Sequence, residues 1–255
     1  MAMNFKVVIP ARYASSRLPG KPLLEVAGKP MIQQVHIRAM ESGAEQVVVA
    51  TDDSRIADCV RAFGGEVCMT DSHHRSGTDR IAEVIRHYGW QPDDIVVNLQ
   101  GDEPAMPSAL LLQVAEDMAT HADVVMTTLS ARLSNKEQLF DPNVVKLVTD
   151  AKGYALYFSR APIPWDRDQF AVRNEIPAEV TGYYRHIGLY AYRAGFLERF
   201  VAWEPAPLEV VESLEQLRVL WHGERIHVSE AAVMPGQGVD TQHDLELVNQ
   251  QFNQA

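Results

Sequence analysis

Residues 9–22 read Ile-Pro-Ala-Arg-Tyr-Ala-Ser-Ser-Arg-Leu-Pro-Gly-Lys-Pro and crowd three cations, Arg12, Arg17 and Lys21, into one loop containing Gly and Pro. Cations together with free backbone N–H groups favour a polyphosphate. The lysine can sit on a phosphate as a point charge, and the arginines can fork onto its oxygens. The loop is not a P-loop, because the first glycine is missing at the right offset and Pro22 replaces the Ser/Thr. A solvated basic loop would use the same letters, so the spacing alone leaves both readings open. A second segment, Gln100-Gly-Asp-Glu-Pro104, follows the apolar run 95–99. A carboxylate there is well placed to hold Mg²⁺, which takes oxygen ligands and often one or two carboxylates plus phosphates. Asp102 is the first choice, being nearest the strand end. A third, Gly236-Gln-Gly-Val-Asp240-Thr241, reads in isolation as a helix cap. Paired with Asp102, Asp240 becomes a second carboxylate for a metal that bridges phosphates during phosphoryl or nucleotidyl transfer.

Ser76-Gly-Thr-Asp-Arg80 offers hydroxyl and backbone groups to a base or ribose, and equally a capping box for the helix that follows. His186 lies in Tyr183-Tyr-Arg-His-Ile-Gly-Leu-Tyr190. Two-residue alternation puts Tyr184, His186, Gly188 and Tyr190 on one strand face and Arg185, Ile187 and Leu189 on the other. The first face suits a pocket or a packed interior. His73 and His74 beside Arg75 read as exposed. His36, His87, His121, His222, His227 and His243 lie in or beside regular elements, and no H-x-x-x-H or H-E-x-x-H pair exists. The serines of the first loop lack a His/Asp constellation, so no hydrolase triad is supported. Two cysteines, Cys59 and Cys68, make neither a disulfide framework nor a zinc pattern.

The elements that must position these groups alternate. Strands are expected at 5–9, 46–50, 66–69, 95–99 and 123–128, several of them continuous Val/Ile runs typical of strands covered on both faces. Helices are expected at 78–88, with Ile81, Val84, Ile85 and Tyr88 on one side, and at 108–120 with Ser108 as cap. The alternation gives an α/β fold with three layers and a mostly parallel sheet. The second half changes rhythm. Strands at 144–149 and 154–159 flank the turn Asp150-Ala-Lys-Gly153, residues 160–182 form a long loop, and 185–193 reads as a strand. An amphipathic helix over 208–221 carries Val210, Val211, Leu214, Leu217 and Trp221, a short strand follows near 225–229, and Thr241 and Asp244 cap a last helix. One domain over 1–255 is expected, with a small β-rich lobe inserted at about 130–200.

The chain has 255 residues, 46% of them hydrophobic, and a net charge of −11. An acidic body with local basic loops suits capture of a small anion and argues against nucleic acid. No apolar run approaches the roughly 20 residues needed to span a bilayer. The first apolar run flows into a charged loop without a cleavage site, so a cytoplasmic protein is expected.

Taken together, Pro10–Pro22, Ser76–Arg80, Val97-Asn-Leu-Gln-Gly-Asp-Glu-Pro104, Tyr157-Phe-Ser-Arg-Ala-Pro-Ile-Pro-Trp165, His186-Ile-Gly, Leu214-Glu-Gln-Leu-Arg218 and Gly238-Val-Asp-Thr241 closely resemble the 3-deoxy-manno-octulosonate (Kdo) cytidylyltransferases. The likeness runs nearly the whole chain in order. It implies a nucleotide-diphospho-sugar transferase-like fold, a homodimer, and Mg²⁺-dependent formation of CMP-Kdo and pyrophosphate from CTP and Kdo for lipopolysaccharide assembly. It also implies that Arg12, Ser15, Arg17 and Lys21 hold the phosphates, with Gln100 on the nucleotide beside Ser76 and Arg80. Asp102 and Asp240 would bind the metal. Arg160, Arg167, His186, Tyr190, Glu215 and Gln216 would serve the sugar, the arginines pairing with its carboxylate. The choice of cytosine rests on the resemblance alone. Two other readings remain: a cytidylyltransferase for another acidic sugar, such as 8-amino-Kdo or sialic acid, and a silent nucleotide-binding module on the same scaffold.

Overall fold

A computed structural model describes residues 3–14, 18–168, 170 and 181–254. In chain order the first half carries β1 (Lys6–Pro10), β2 (Glu25–Val26), β3 (Lys29–Pro30), α1 (Met31–Glu41), β4 (Gln46–Thr51), α2 (Ser54–Ala62), β5 (Glu66–Met69), α3 (Gly77–Tyr88), β6 (Ile95–Asn98) and α4 (Ser108–Thr120). The second half carries β7 (Met126–Arg132), α5 (Lys136–Phe140), β8 (Lys146–Thr149), β9 (Ala155–Ser159), β10 (Tyr184–Arg193), α6 (Ala194–Val201), α7 (Pro207–Glu212), α8 (Leu217–Trp221), β11 (Ile226–Glu230) and α9 (Gln242–Gln254).

Seven strands form the spine of one sheet in the order β11-β7-β10-β6-β1-β4-β5. β1 pairs in parallel with β4 and β6, β4 with β5, and β7 with β11, while β10 runs antiparallel between β6 and β7. The Val/Ile runs are buried on both faces. Val7, Ile9, Val47, Val49 and Val97 pack with Ile32, Val35, Val60, Leu110 and Val114 of α1, α2 and α4. The alternate residues Val8, Val48 and Val96 pack with Ile81, Val84, Phe196 and Leu197 of α3 and α6. Helices on both sides of a mostly parallel sheet give the three layers. β8 and β9 form a hairpin that joins the start of β10, Tyr184 facing Leu147 and Arg185 facing Lys146.

β1 and β6 are parallel neighbours, so the loops after Pro10 and after Asn98 leave the sheet along one edge. Because β10 runs the other way and pairs Tyr190 with Asn98, its residues before Tyr190 project past the end of β6 along that same edge. A register shift between Ile187 and Tyr190 adds residues on β10 without changing their parity. Thus Ile187 and Leu189 pack on the α4 side, and His186 and Tyr190 share the other face with ring centroids 5.3 Å apart.

Three local expectations differ from the structure. The 208–221 helix is two short helices, because Ser213 adopts a left-handed φ of 52° between them. The break turns Val210, Val211 and Trp221 outward, while Leu214 and Leu217 stay in the core. It also opens the carbonyls of Glu212 and Ser213 to the Arg160 guanidinium. The cap of α4 is Pro107 rather than Ser108, with no side-chain bond. β7 begins three residues later than expected, since Asp123 belongs to a turn where it accepts from Tyr154 and Arg225.

Candidate active site

A cavity of about 310 Å³ opens at the edge shared by the β1 and β6 loops. Arg12, Lys21, Ser76, Arg80, Gln100, Asp102 and Asp240 all line it, with His74 and Arg75 beside them. Ser15 and Arg17 lie outside the described residues. Seven of the nine nucleotide and metal residues expected from the sequence therefore meet at one place. Their surroundings are not equal. Arg12 stands exposed. Arg80 reaches the wall but is buried, and its guanidinium is held by Asp52 at 2.9 Å, by Thr70 at 2.7 Å and by the Asp71 carbonyl at 3.2 Å. Ser76 does both things the sequence allowed. Its hydroxyl accepts from the Asp79 N–H in a complete capping box, and it also touches the Glu215 carboxyl.

The centre of the cavity is a cation held by oxygens. Lys21 Nζ donates to Asp102 Oδ2 at 2.6 Å, to the Val239 carbonyl at 2.9 Å and to Asp240 Oδ1 at 3.1 Å. Burial opposes the Lys21 charge, yet Asp102 and then Asp240 outweigh it and hold the ammonium above its ordinary pKa. The two aspartates meet because Val239 N–H donates to the Asp102 carbonyl at 2.9 Å, which clasps the two loops together. Glycines make the approach possible. A Cβ on Gly238 would lie 2.7 Å from Glu103 Oε1, and one on Gly236 would lie 2.4 Å from the Ala105 carbonyl. Glu103 completes a cluster of three carboxyls. Burial and then the charges of Asp102 and Asp240 push its pKa up to about 8, with Arg185 and Lys21 pulling the other way.

These donors fit a hard divalent cation. All are oxygens, two are carboxylates from loops far apart in sequence, and they already surround one positive charge.

The residues expected for the sugar divide into two groups. His186, Tyr190 and Glu215 join one network on the α3 side of the sheet. His186 Nε2 lies 3.0 Å from Thr128 Oγ1 and its ring packs on Phe158 and Tyr190. Burial pushes the His186 pKa down to about 3 and the Tyr190 phenol up. Tyr190 stacks on Tyr192, which touches Thr78 and Asn98. Thr78 Oγ1 donates to Glu215 Oε2 at 2.5 Å, and burial raises the Glu215 carboxyl. Gln216 is 4% exposed, and its buried Nε2 has no hydrogen-bond partner among the described residues. Glu215 lines a second cavity of about 760 Å³ that shares His74, Arg75 and Ser76 with the first. Arg160 and Arg167 are not brought to either lining. Arg160 Nε donates to the Glu212 carbonyl at 2.6 Å and NH1 to the Pro142 carbonyl at 2.8 Å, while Arg167 is exposed on its loop.

Sequence reasoning passed over several participants. His74, expected to be exposed, is 2.5 Å from Glu83 and lines both cavities. Thr78 sits inside a motif that was singled out for other members. One more step of the Tyr184–Tyr190 alternation reaches Tyr192. Glu103 and Arg185 carry no spacing signal, since only folding sets Glu103 against Asp240 and Arg185 against Glu103.

The sequence profile of the cytidylyltransferase family matches residues 6–226. A 3-deoxy-manno-octulosonate cytidylyltransferase of Idiomarina loihiensis is 57% identical over 244 residues, spanning 96% of either protein. One from Aeromonas hydrophila is 58% identical over 250 residues, 96% of this chain and 98% of that protein. Among solved structures, a CMP:2-keto-3-deoxy-manno-octonic acid synthetase complexed with CTP superposes with a TM-score of 0.88 at 41% identity, covering 99% of each chain.

Proposed function

The chain belongs to the cytidylyltransferase family, with the 3-deoxy-manno-octulosonate cytidylyltransferases, and from that membership we propose how its own residues carry the reaction. It transfers the cytidylyl group of CTP to Kdo. The anomeric hydroxyl of Kdo attacks the α-phosphorus, an O–P bond forms, the bond to the β-phosphate oxygen breaks, and pyrophosphate leaves. No covalent enzyme intermediate is required, because positioning and charge stabilisation supply the acceleration.

The observation that carries this reading is the oxygen-lined cation seat of Asp102, Val239 and Asp240 inside a cavity walled by Arg12, Ser76 and Gln100. Asp102 and Asp240 would hold Mg²⁺, which when bound supplies neutralisation of the triphosphate and a lowered pKa for the attacking hydroxyl. Lys21, on a four-carbon stem, shares those carboxylates and can turn its ammonium to a phosphate oxygen. Arg12 adds a forked donor for the same phosphates. Ser15 and Arg17 belong to the same set by resemblance. His186, low in pKa and therefore neutral at physiological pH, orients sugar hydroxyls rather than moving a charge, with Tyr190 and Glu215 beside it. Arg160 and Arg167 serve the sugar carboxylate by resemblance. Arg160 must then give up carbonyl partners that it holds without ligand.

The chain acts as a homodimer in the cytoplasm, and its product enters lipopolysaccharide assembly. Support for this comes from the family likeness. No helix among the described residues is long and apolar enough to cross a membrane. Pyrophosphate release tests the activity. Turnover with CTP, Kdo and Mg²⁺, lost when the metal is chelated, is expected. Turnover of 8-amino-Kdo but not Kdo would overturn the substrate, and undiminished turnover with a chelator would overturn the metal.

A further inference from the structure

A second group of polar side chains gathers at the opposite end of the sheet. β11 runs parallel to β7, and His227, second in β11, pairs with Thr127 near the start of β7. α4 leaves the cleft at Ser108 and ends at Thr120, so Asp117 and His121 come to that far end too. Asp117, His121 and His227 offer ligand atoms that all lie within 4.8 Å of one another. None of the three takes part in the chemistry proposed above.

The arrangement is specific. His227 Nδ1 lies 2.8 Å from Asp117 Oδ2, and His121 Nδ1 lies 3.1 Å from Asp117 Oδ1. The two imidazoles stack with centroids 3.7 Å apart and planes 21° off parallel. Both rings present Nδ1 to Asp117, His227 to its carboxylate and His121 to its carboxylate and to its backbone carbonyl at 2.9 Å. The other edge of the His227 ring lies against Gly153, where a Cβ would come within 2.7 Å of its Nε2. A neutral imidazole has one N–H and one lone pair. Each Nδ1 faces Asp117 oxygens, which can only accept, so a proton or a metal ion must stand between them. Protonating both stacked rings would set like charges face to face, whereas one divalent ion serves both nitrogens and the carboxylate.

We propose that Asp117, His121 and His227 form a site for a borderline divalent transition metal, Zn²⁺ by ligand type, bound through two imidazole nitrogens and one carboxylate oxygen. Zinc takes such ligands at about 2.0–2.2 Å in a tetrahedron, with a fourth position open to water. The ion ties the end of α4 and the start of β11 to the β8–β9 turn, across which Tyr154 bridges to His227.

The test uses the full chain carrying Asp102→Asn and Asp240→Asn, so that the cleft carboxylates do not compete. The metal-stripped protein is titrated with Zn²⁺ against a chromophoric chelator, and with Co²⁺ for visible absorption bands. One Zn²⁺ per chain is expected, with a Co²⁺ spectrum of low coordination number. His121→Ala and His227→Gln are each expected to weaken Zn²⁺ binding by at least about 100-fold, the upper end of what losing an outer partner costs. His121 is the more exposed ligand, so His121→Ala decides alone if His227→Gln does not fold. No Zn²⁺ bound, or binding unchanged in a folded His121→Ala chain, overturns the site.

Discussion

Two tight ion pairs in this molecule are alike in distance and opposite in balance. On α7 and α8, Arg218 forks onto Glu209 at 2.5 and 2.8 Å, one cation to one carboxylate, with both side chains nearly buried. In the cleft, Lys21 faces Asp102 at 2.6 Å and Asp240 at 3.1 Å, with Glu103 behind them. The first pair is closed. The Arg218 charge is matched and its guanidinium also donates to the Trp203 carbonyl, with Glu215 and Asp79 acting on it more weakly. The second carries excess negative charge around a single ammonium. Removing one partner of a balanced buried pair strands a charge, whereas an unbalanced cluster keeps negative charge to offer a further cation such as the proposed Mg²⁺.

The largest test of that contrast falls on the closed pair. Glu209→Gln leaves the Arg218 charge without its carboxylate and is expected to cost about 3–5 kcal/mol of stability, read by denaturant unfolding. Turnover per folded molecule should hold. In the cleft the signs reverse. Asp102→Asn relieves repulsion among the three carboxyls, so stability should stay within about 0.5 kcal/mol. Pyrophosphate release should fall about 100- to 1,000-fold, as when one stabiliser of transition-state charge is removed. A large loss of stability with unchanged turnover would erase the distinction.

The same contrast explains what the sequence could and could not reveal. The Val/Ile runs and the capping box at Ser76 are local signals, and the strands of the sheet's core and α3 follow them closely. The basic loop, Asp102 and Asp240 could be named because each sits next to a readable element. Their meeting could not be read, since it depends on the Val239–Asp102 backbone bond between distant loops. The 208–221 region failed for the opposite reason. Its apolar spacing is helical throughout, but the left-handed turn at Ser213 splits the apolar stripe, leaving Val210, Val211 and Trp221 outside and Leu214, Gln216 and Leu217 inside. Helical spacing would have left Glu215 and Gln216 on a solvated face; the tertiary break instead puts Glu215 on the lining of the second cavity and Gln216 in the interior.

A smaller effect sharpens the boundary between the charged cleft and the neutral network beside it. Burial depresses the folded-state pKa of His186 to about 3, below the ordinary imidazole value of 6.5. A depressed value contributes stability that is present above pH 6.5 and is lost as the pH falls toward 3. His186→Asn should flatten that part of the acid limb of stability. The wild-type rate profile should show no ionisation from His186 near neutrality. A histidine titrating near neutrality by NMR at this position would contradict the account.

The most direct measurement is a double-mutant cycle on pyrophosphate release, comparing Asp102→Asn, Asp240→Asn and the combined variant at saturating Mg²⁺ and CTP. If both carboxylates serve one cation, each single change removes most of the rate and the combined variant is little worse than the weaker single one. Losses that multiply, or a single variant that turns over near the wild-type rate, would contradict a shared cation seat.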